Sequence, residues 1–142
     1  MNKWKIIDLP IRENIPDKPG KLIFSEVKEV TGGNFNSARR VYWIINNTQE
    51  DASRGGHYHP QGGKQEYIVC LSGKMEVELH SENKCEDIFI DKPNLALYIP
   101  CGVWHRVILS PGAVFLSVAS TNFDPNESIN DLPACFCGKF SK

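Results

Sequence analysis

The chain of 142 residues contains no apolar run approaching the roughly 20 residues of a membrane-spanning helix. Charge of one sign is also missing. Sixteen Lys and Arg face seventeen Asp and Glu, a net charge of −1, and both signs are scattered. A basic stripe for nucleic acid and a basic membrane face are therefore excluded as readings. Internal repeats, low-complexity tracts and interdomain linkers are absent, so one domain over 1–142 is expected. The opening Met1-Asn2-Lys3-Trp4-Lys5 lacks the apolar stretch of a signal peptide, which gives the expectation of a cytoplasmic protein.

Cysteine is sparse and odd in number: Cys70, Cys85, Cys101, Cys135 and Cys137. Without a secretion signal that count favours reduced thiols. Cys70 stands in the apolar run Tyr67-Ile68-Val69-Cys70-Leu71 and reads as a small buried residue. Cys135 and Cys137 offer two soft ligands, too few for a structural metal site by themselves.

Helical periodicity is nearly absent, and short strand-like runs punctuated by Gly, Pro, Asn and Asp take its place. Strands are expected over 4–9, 21–30, 40–45, 66–71, 74–80, 85–90, 95–99, 103–109 and 113–119. Pro10 to Gly20, with three prolines, reads as a loop, and Ser110-Pro111-Gly112 as a hairpin turn. A short helical turn is expected near Glu127–Asp131. The alternation in Met75, Val77 and Leu79 assigns that face of its strand to a core. Strands at about 8–12-residue spacing mean an all-β sandwich or barrel, and the count suits a double-sheet jelly roll. Val103 and Val107 lie on one face of their strand, Trp104 and Ile108 on the other. A strand apolar on both faces packs on a second sheet or subunit, so a homodimer is expected.

The chemistry concentrates in two short motifs: Arg54-Gly55-Gly56-His57-Tyr58-His59 with Glu66 and Gly73, and Pro100-Cys101-Gly102-Val103-Trp104-His105. In an extended chain His57 and His59 point the same way, about 6–7 Å apart. Glu66 shares a face with Ile68 and Cys70, and His105 with Val103 and Val107. All four can line one barrel interior, where histidines either move protons or hold a metal. His80 follows the polar face of its strand and reads as a plain surface or satisfied residue. Tyr42 reads equally well as core, and Arg54 as a solvated charge.

This pattern resembles that of the cupins: Gly, His-x-His, a spaced Glu, Gly, then Pro-x-Gly-x-x-His. More narrowly the chain resembles the sugar-nucleotide 3,4-ketoisomerases acting on dTDP-4-keto-6-deoxyglucose. The shared stretches are Arg40-Val41-Tyr42-Trp43-Ile44, Arg54 to His59, Cys70-Leu71-Ser72-Gly73 and Leu97-Tyr98-Ile99-Pro100. Val103-Trp104, Val118-Ala119-Ser120 and Phe123 to Ile129 continue the likeness. The resemblance implies a jelly-roll barrel forming a dimer that exchanges N-terminal strands, here within 1–30. It implies no metal and no redox cofactor, with functional positions matching His57, His59 and Tyr42.

Three departures stand out. The segment between His59 and Cys70 is about two residues longer, within Pro60-Gln61-Gly62-Gly63. Glu66 replaces the usual Gln, and His105 follows the tryptophan where Arg is common. Two enzymatic readings result. In the first, His57 shuttles a proton, His59 assists at the developing oxyanion and Tyr42 donates to it. Arg54, Arg40, Trp104 and Glu66 then bind the nucleotide sugar, Arg54 gripping the pyrophosphate. In the second, His57, His59, Glu66 and His105 hold Zn, Fe, Mn or Ni. A sugar-sensing module without catalysis is a third reading, weakened by the lack of any effector segment.

Overall fold

Alternation of inward and outward side chains along short antiparallel strands builds two facing sheets. The structure is a computed structural model that describes residues 3–131. Its elements are β1 (Lys5–Asp8), β2 (Ile11–Ile15), β3 (Lys18–Ile23), α1 (Val27–Val30), β4 (Arg40–Ile45) and β5 (Ala52–His57). They continue with β6 (Glu66–Ser72), β7 (Met75–His80), β8 (Cys85–Ile90), β9 (Leu95–Ile99), β10 (Trp104–Leu109) and β11 (Val114–Ala119). One sheet has the order β1-β9-β6-β11-β4, the second β5-β10-β7-β8, and β2 and β3 form a separate hairpin. Every pairing between named strands is antiparallel. This is the expected double-sheet jelly roll of cupin type.

The core lies between the two sheets. From one side come Ile68, Cys70, Leu97, Ile99 and Phe115, and from the other Met75, Val77, Leu79, Ile88, Ile90, Val107 and Leu109. Leu97 and Leu79 are wholly buried, and truncating such a side chain to Ala typically costs about 2–5 kcal/mol. A second apolar cluster sits on the outer face of the larger sheet. There Tyr67, Val69, Ala96 and Tyr98 are covered by Leu9, Val30 and their neighbours. The outer face of β4 is left bare: Val41, Trp43 and Ile45 are all exposed.

Several sequence expectations change. Pro10 to Gly20 is largely the β2–β3 hairpin, not a loop. Its residues are exposed on both faces, so no hydrophobic alternation could mark it. The strand expected over 21–30 ends at Ile23, and Val27–Val30 forms one helical turn. Val27 and Val30, three apart, meet the second cluster together, which is helical spacing. Strand β5 is an addition, unmarked because it is rich in glycine. Ser110-Pro111-Gly112 does make a tight turn, the Ala113 amide donating to the Ser110 carbonyl at 3.0 Å. It joins β10 to β11 in different sheets, so it is a jelly-roll corner rather than a hairpin. Gly73 fills the neighbouring corner with φ of +75°, and a Cβ there would stand 2.8 Å from Ala113 Cα. The helical turn expected near Glu127–Asp131 is replaced by a bridge between Ile129 and Tyr58. Cys135 and Cys137 lie outside the described residues. Among the described residues, no helix is long and apolar enough to cross a membrane.

Candidate active site

The Arg-Gly-Gly-His run acquires its meaning from a β-bulge. His57 pairs with His105 across β5 and β10, but Arg106 pairs with Gly55, so Gly56 is skipped. Directly paired residues share a sheet face. His57 and His105 therefore point inward together, and Arg54, paired with core residue Val107, returns to the same face. Simple alternation would have sent Arg54 and His57 to opposite faces. Gly55, with φ of +86°, has no room for a side chain, because a Cβ would lie 2.9 Å from the His105 carbonyl oxygen.

Three imidazoles converge at this end of the barrel. Ring centroids are 4.9 Å apart for His57 and His59, 5.0 Å for His57 and His105, and 5.4 Å for His59 and His105. His59 Nδ1 lies 2.8 Å from the Glu127 carbonyl oxygen, and His105 Nδ1 lies 2.9 Å from that of Val103. A carbonyl only accepts, so both Nδ1 atoms donate and the Nε2 atoms turn toward Glu66. The distances from Nε2 to Glu66 Oε1 are 3.3 Å for His105 and 3.9 Å for His59. His59 Nε2 is buried with no hydrogen-bond partner. His57 is the most accessible of the three, and its pKa is lowered to about 4. Burial is the main cause, followed by the neighbouring His105 and His59.

Behind the histidines stands Glu66, at the start of β6 and 2% exposed. Tyr42 donates to its Oε2 at 3.0 Å, Ser117 donates to the same oxygen in a short hydrogen bond, and Lys64 Nζ lies 3.5 Å away. Burial alone would raise this carboxyl. The adjoining imidazoles of His105 and His59 and the Lys64 charge outweigh it and hold Glu66 well below the usual range. Tyr42, from β4, is pushed up, by burial first and by the Glu66 charge second, so its phenol stays protonated.

The sequence-predicted residues divide by face. His57, His59, His105, Glu66 and Tyr42 form one cluster, with Arg54 exposed on the same face. Arg40 reaches the margin, but its Nη2 donates to Glu127 Oε1 and Oε2 at 3.0 and 3.3 Å, and its guanidinium lies over the Tyr42 ring at 5.1 Å. Trp104 does not join the cluster within this chain: it precedes His105 on β10, takes the opposite face, and packs against His80. Sequence reasoning missed Lys64, Ser117 and Glu127. A lysine two residues before Glu66 was the available signal for the first.

A divalent metal finds a suitable donor set here. The ligand nitrogens of His57, His59 and His105 lie within 4.8 Å of one another. The unpartnered His59 Nε2, and Nδ1 atoms spent on backbone carbonyls, match the way metal-binding imidazoles are usually held.

A two-sheet barrel with inward imidazoles and a buried carboxylate defines a cupin-type enzyme scaffold. The FdtA family model, described as WxcM-like, C-terminal, matches residues 2–137, and the chain belongs to that family. A TDP-4-oxo-6-deoxy-α-D-glucose-3,4-oxoisomerase of Aneurinibacillus thermoaerophilus is 33% identical over 94 residues, which are 66% of each chain. The TDP-quinovose 3,4-ketoisomerase of Campylobacter jejuni superposes with a TM-score of 0.78 at 27% identity, covering 92% of this chain and 95% of that one. A sugar 3,4-ketoisomerase of Thermoanaerobacterium thermosaccharolyticum, solved with TDP, gives 0.75 at 28% identity, covering 90% and 88%.

Proposed function

We propose that this protein is a sugar-nucleotide 3,4-ketoisomerase acting on a dTDP-4-keto-6-deoxyhexose. The observation that carries the reading is the meeting of three imidazoles, Glu66 and Tyr42 on one inner face, in a chain whose family includes such isomerases. The C4 ketone acidifies the C3 proton. His57, the accessible imidazole and neutral at pH 7, removes it, leaving an enediolate whose charge rests on O4. A proton returns to C4 and O3 loses its own, so the ketone moves to C3 with no net change in atoms or electrons. His59, fixed by the Glu127 carbonyl, stands beside His57 near the oxyanion. Tyr42 is the hydrogen-bond donor, its hydroxyl aimed at Glu66 until the substrate oxygen competes for it. Arg54, exposed on the same face, offers its guanidinium fork to the pyrophosphate.

A bare apolar strand face at Val41, Trp43 and Ile45 supports a homodimer, built from one cupin domain per chain with residues 1–30 exchanged. A cytoplasmic location goes with that reading. Proton NMR of dTDP-4-keto-6-deoxyglucose with the protein is the test. Growth of a 3-keto product is expected, and an unchanged spectrum contradicts the assignment.

The partnerless His59 Nε2 favours a second reading, a metal held by His57, His59 and His105 with Glu66 alongside. A bound divalent ion would polarise the ketone as a Lewis acid. Full turnover in chelator contradicts that reading.

A further inference from the structure

The segment that follows His59 ends in a buried charge. Pro60 to Gly63 closes a tight turn, the Gly63 amide donating to the Pro60 carbonyl at 2.9 Å with Gly62 at φ of +80°. The Cys101 thiol approaches the Gly63 and Lys64 carbonyls at 3.5 and 3.4 Å, and the Gly102 amide donates to the His59 carbonyl at 2.8 Å. The turn is thereby pinned to the loop before β10, and it delivers Lys64 into the interior, 4% exposed. Burying an ammonium is costly unless it is paired and hydrogen-bonded. Lys64 Nζ donates to the Tyr42 hydroxyl at 3.0 Å and lies 3.5 Å from Glu66 Oε2. The Tyr42 hydroxyl, accepting from Lys64, has its own hydrogen directed to Glu66.

We propose that Lys64 is a positioning residue of the acid–base site, acting through Glu66 and Tyr42. Its ammonium, between the Tyr42 hydroxyl and Glu66 Oε2, fixes the place of the carboxylate behind the histidines. Its hydrogen bond holds the Tyr42 hydroxyl in one orientation, ready to be redirected to substrate. The groups facing this triad are His59 and His105 from the histidine side, Ser117 from β11 and Arg40 over the Tyr42 ring. None of them is a second carboxylate, so Lys64 and Glu66 compensate one another. The inference rests on the ketoisomerase reading for its catalytic part and on the packing alone for the pairing.

A double-mutant cycle of Lys64→Met and Glu66→Gln tests both parts. In thermal unfolding, which needs no substrate, the two single variants are expected to melt below the double variant. Additive melting shifts overturn the pairing and the proposal with it. In turnover of dTDP-4-keto-6-deoxyglucose, Lys64→Met is expected to lose at least about tenfold in kcat with KM within about threefold. The double variant, with a neutral pair, is expected to regain most of that loss. A Lys64→Met enzyme with wild-type kcat overturns the positioning role and reduces Lys64 to structure. Should that single variant fail to fold, a double variant as active as Glu66→Gln supports the role through Glu66, and one far less active overturns it. A silent wild-type enzyme with non-additive melting sinks the ketoisomerase reading and, with it, the catalytic role, while leaving the pairing established.

Discussion

Glu66 and Glu78 are each 2% exposed, each on a central strand, each beside a histidine and a basic side chain. Glu66 points into the barrel. Glu78 points out of the other sheet, where Arg106 Nη2 reaches its Oε2 at 2.8 Å and His80 Nε2 its Oε1 at 3.3 Å. Arg106 keeps 38% of its side chain exposed, whereas the cation beside Glu66 is sealed in. Glu66 adds a second imidazole, a phenol and a hydroxyl. Burial of a carboxylate with a histidine is thus no sign of chemistry by itself. Convergence of several proton-transferring groups on a concave face is.

The largest expected separation between the two regions comes from His57→Asn. It removes the assigned base while keeping a smaller polar side chain, and should cost about 10²–10⁴-fold in kcat. Circular dichroism and melting should stay near wild type, because His57 is only partly buried. The pH profile sharpens the same point. The lowered pKa of His57, about 4, means its base form persists through pH 5–6. The acidic limb of kcat/KM should therefore fall only near pH 4, and a limb near the ordinary 6.5 would remove His57 from the base role. Glu78→Gln should reverse the pattern. It weakens a partly solvated pair, so stability should drop by about 1–2 kcal/mol in chemical denaturation. Turnover should remain within about twofold. The smallest effect on per-molecule chemistry is expected from Trp43→Ser on the bare face of β4. Sedimentation should show the proposed dimer weakened, with the turnover of each molecule unchanged.

Much of this was legible in the sequence where side-chain periodicity and burial coincide. The Met75, Val77, Leu79 alternation placed a core face correctly, since all three are buried. His57, His59, Glu66 and His105 read as one cluster because the two-residue period brings them to one face. The rest failed for physical reasons. Strand β5 is marked by glycines that β-propensity penalises, and their role is a bulge that only the pairing with β10 reveals. The β2–β3 hairpin has no buried face, so it leaves no pattern. Arg40 reads as a substrate-binding cation, and its partner Glu127, 87 residues on, leaves no local mark. Lys64 was missed because its distance from Glu66 in sequence does not show that a tight turn folds it onto Tyr42.

The central claim is tested most directly by the fate of the C3 proton. Wild-type and His57→Asn proteins would be incubated with dTDP-4-keto-6-deoxyglucose in D2O containing chelator and followed by proton NMR. The account predicts that the wild type washes out the C3 proton and accumulates a 3-keto product, and that the folded variant does neither. Exchange by His57→Asn at the wild-type rate, or exchange by the wild type only after a divalent metal is restored, would contradict it.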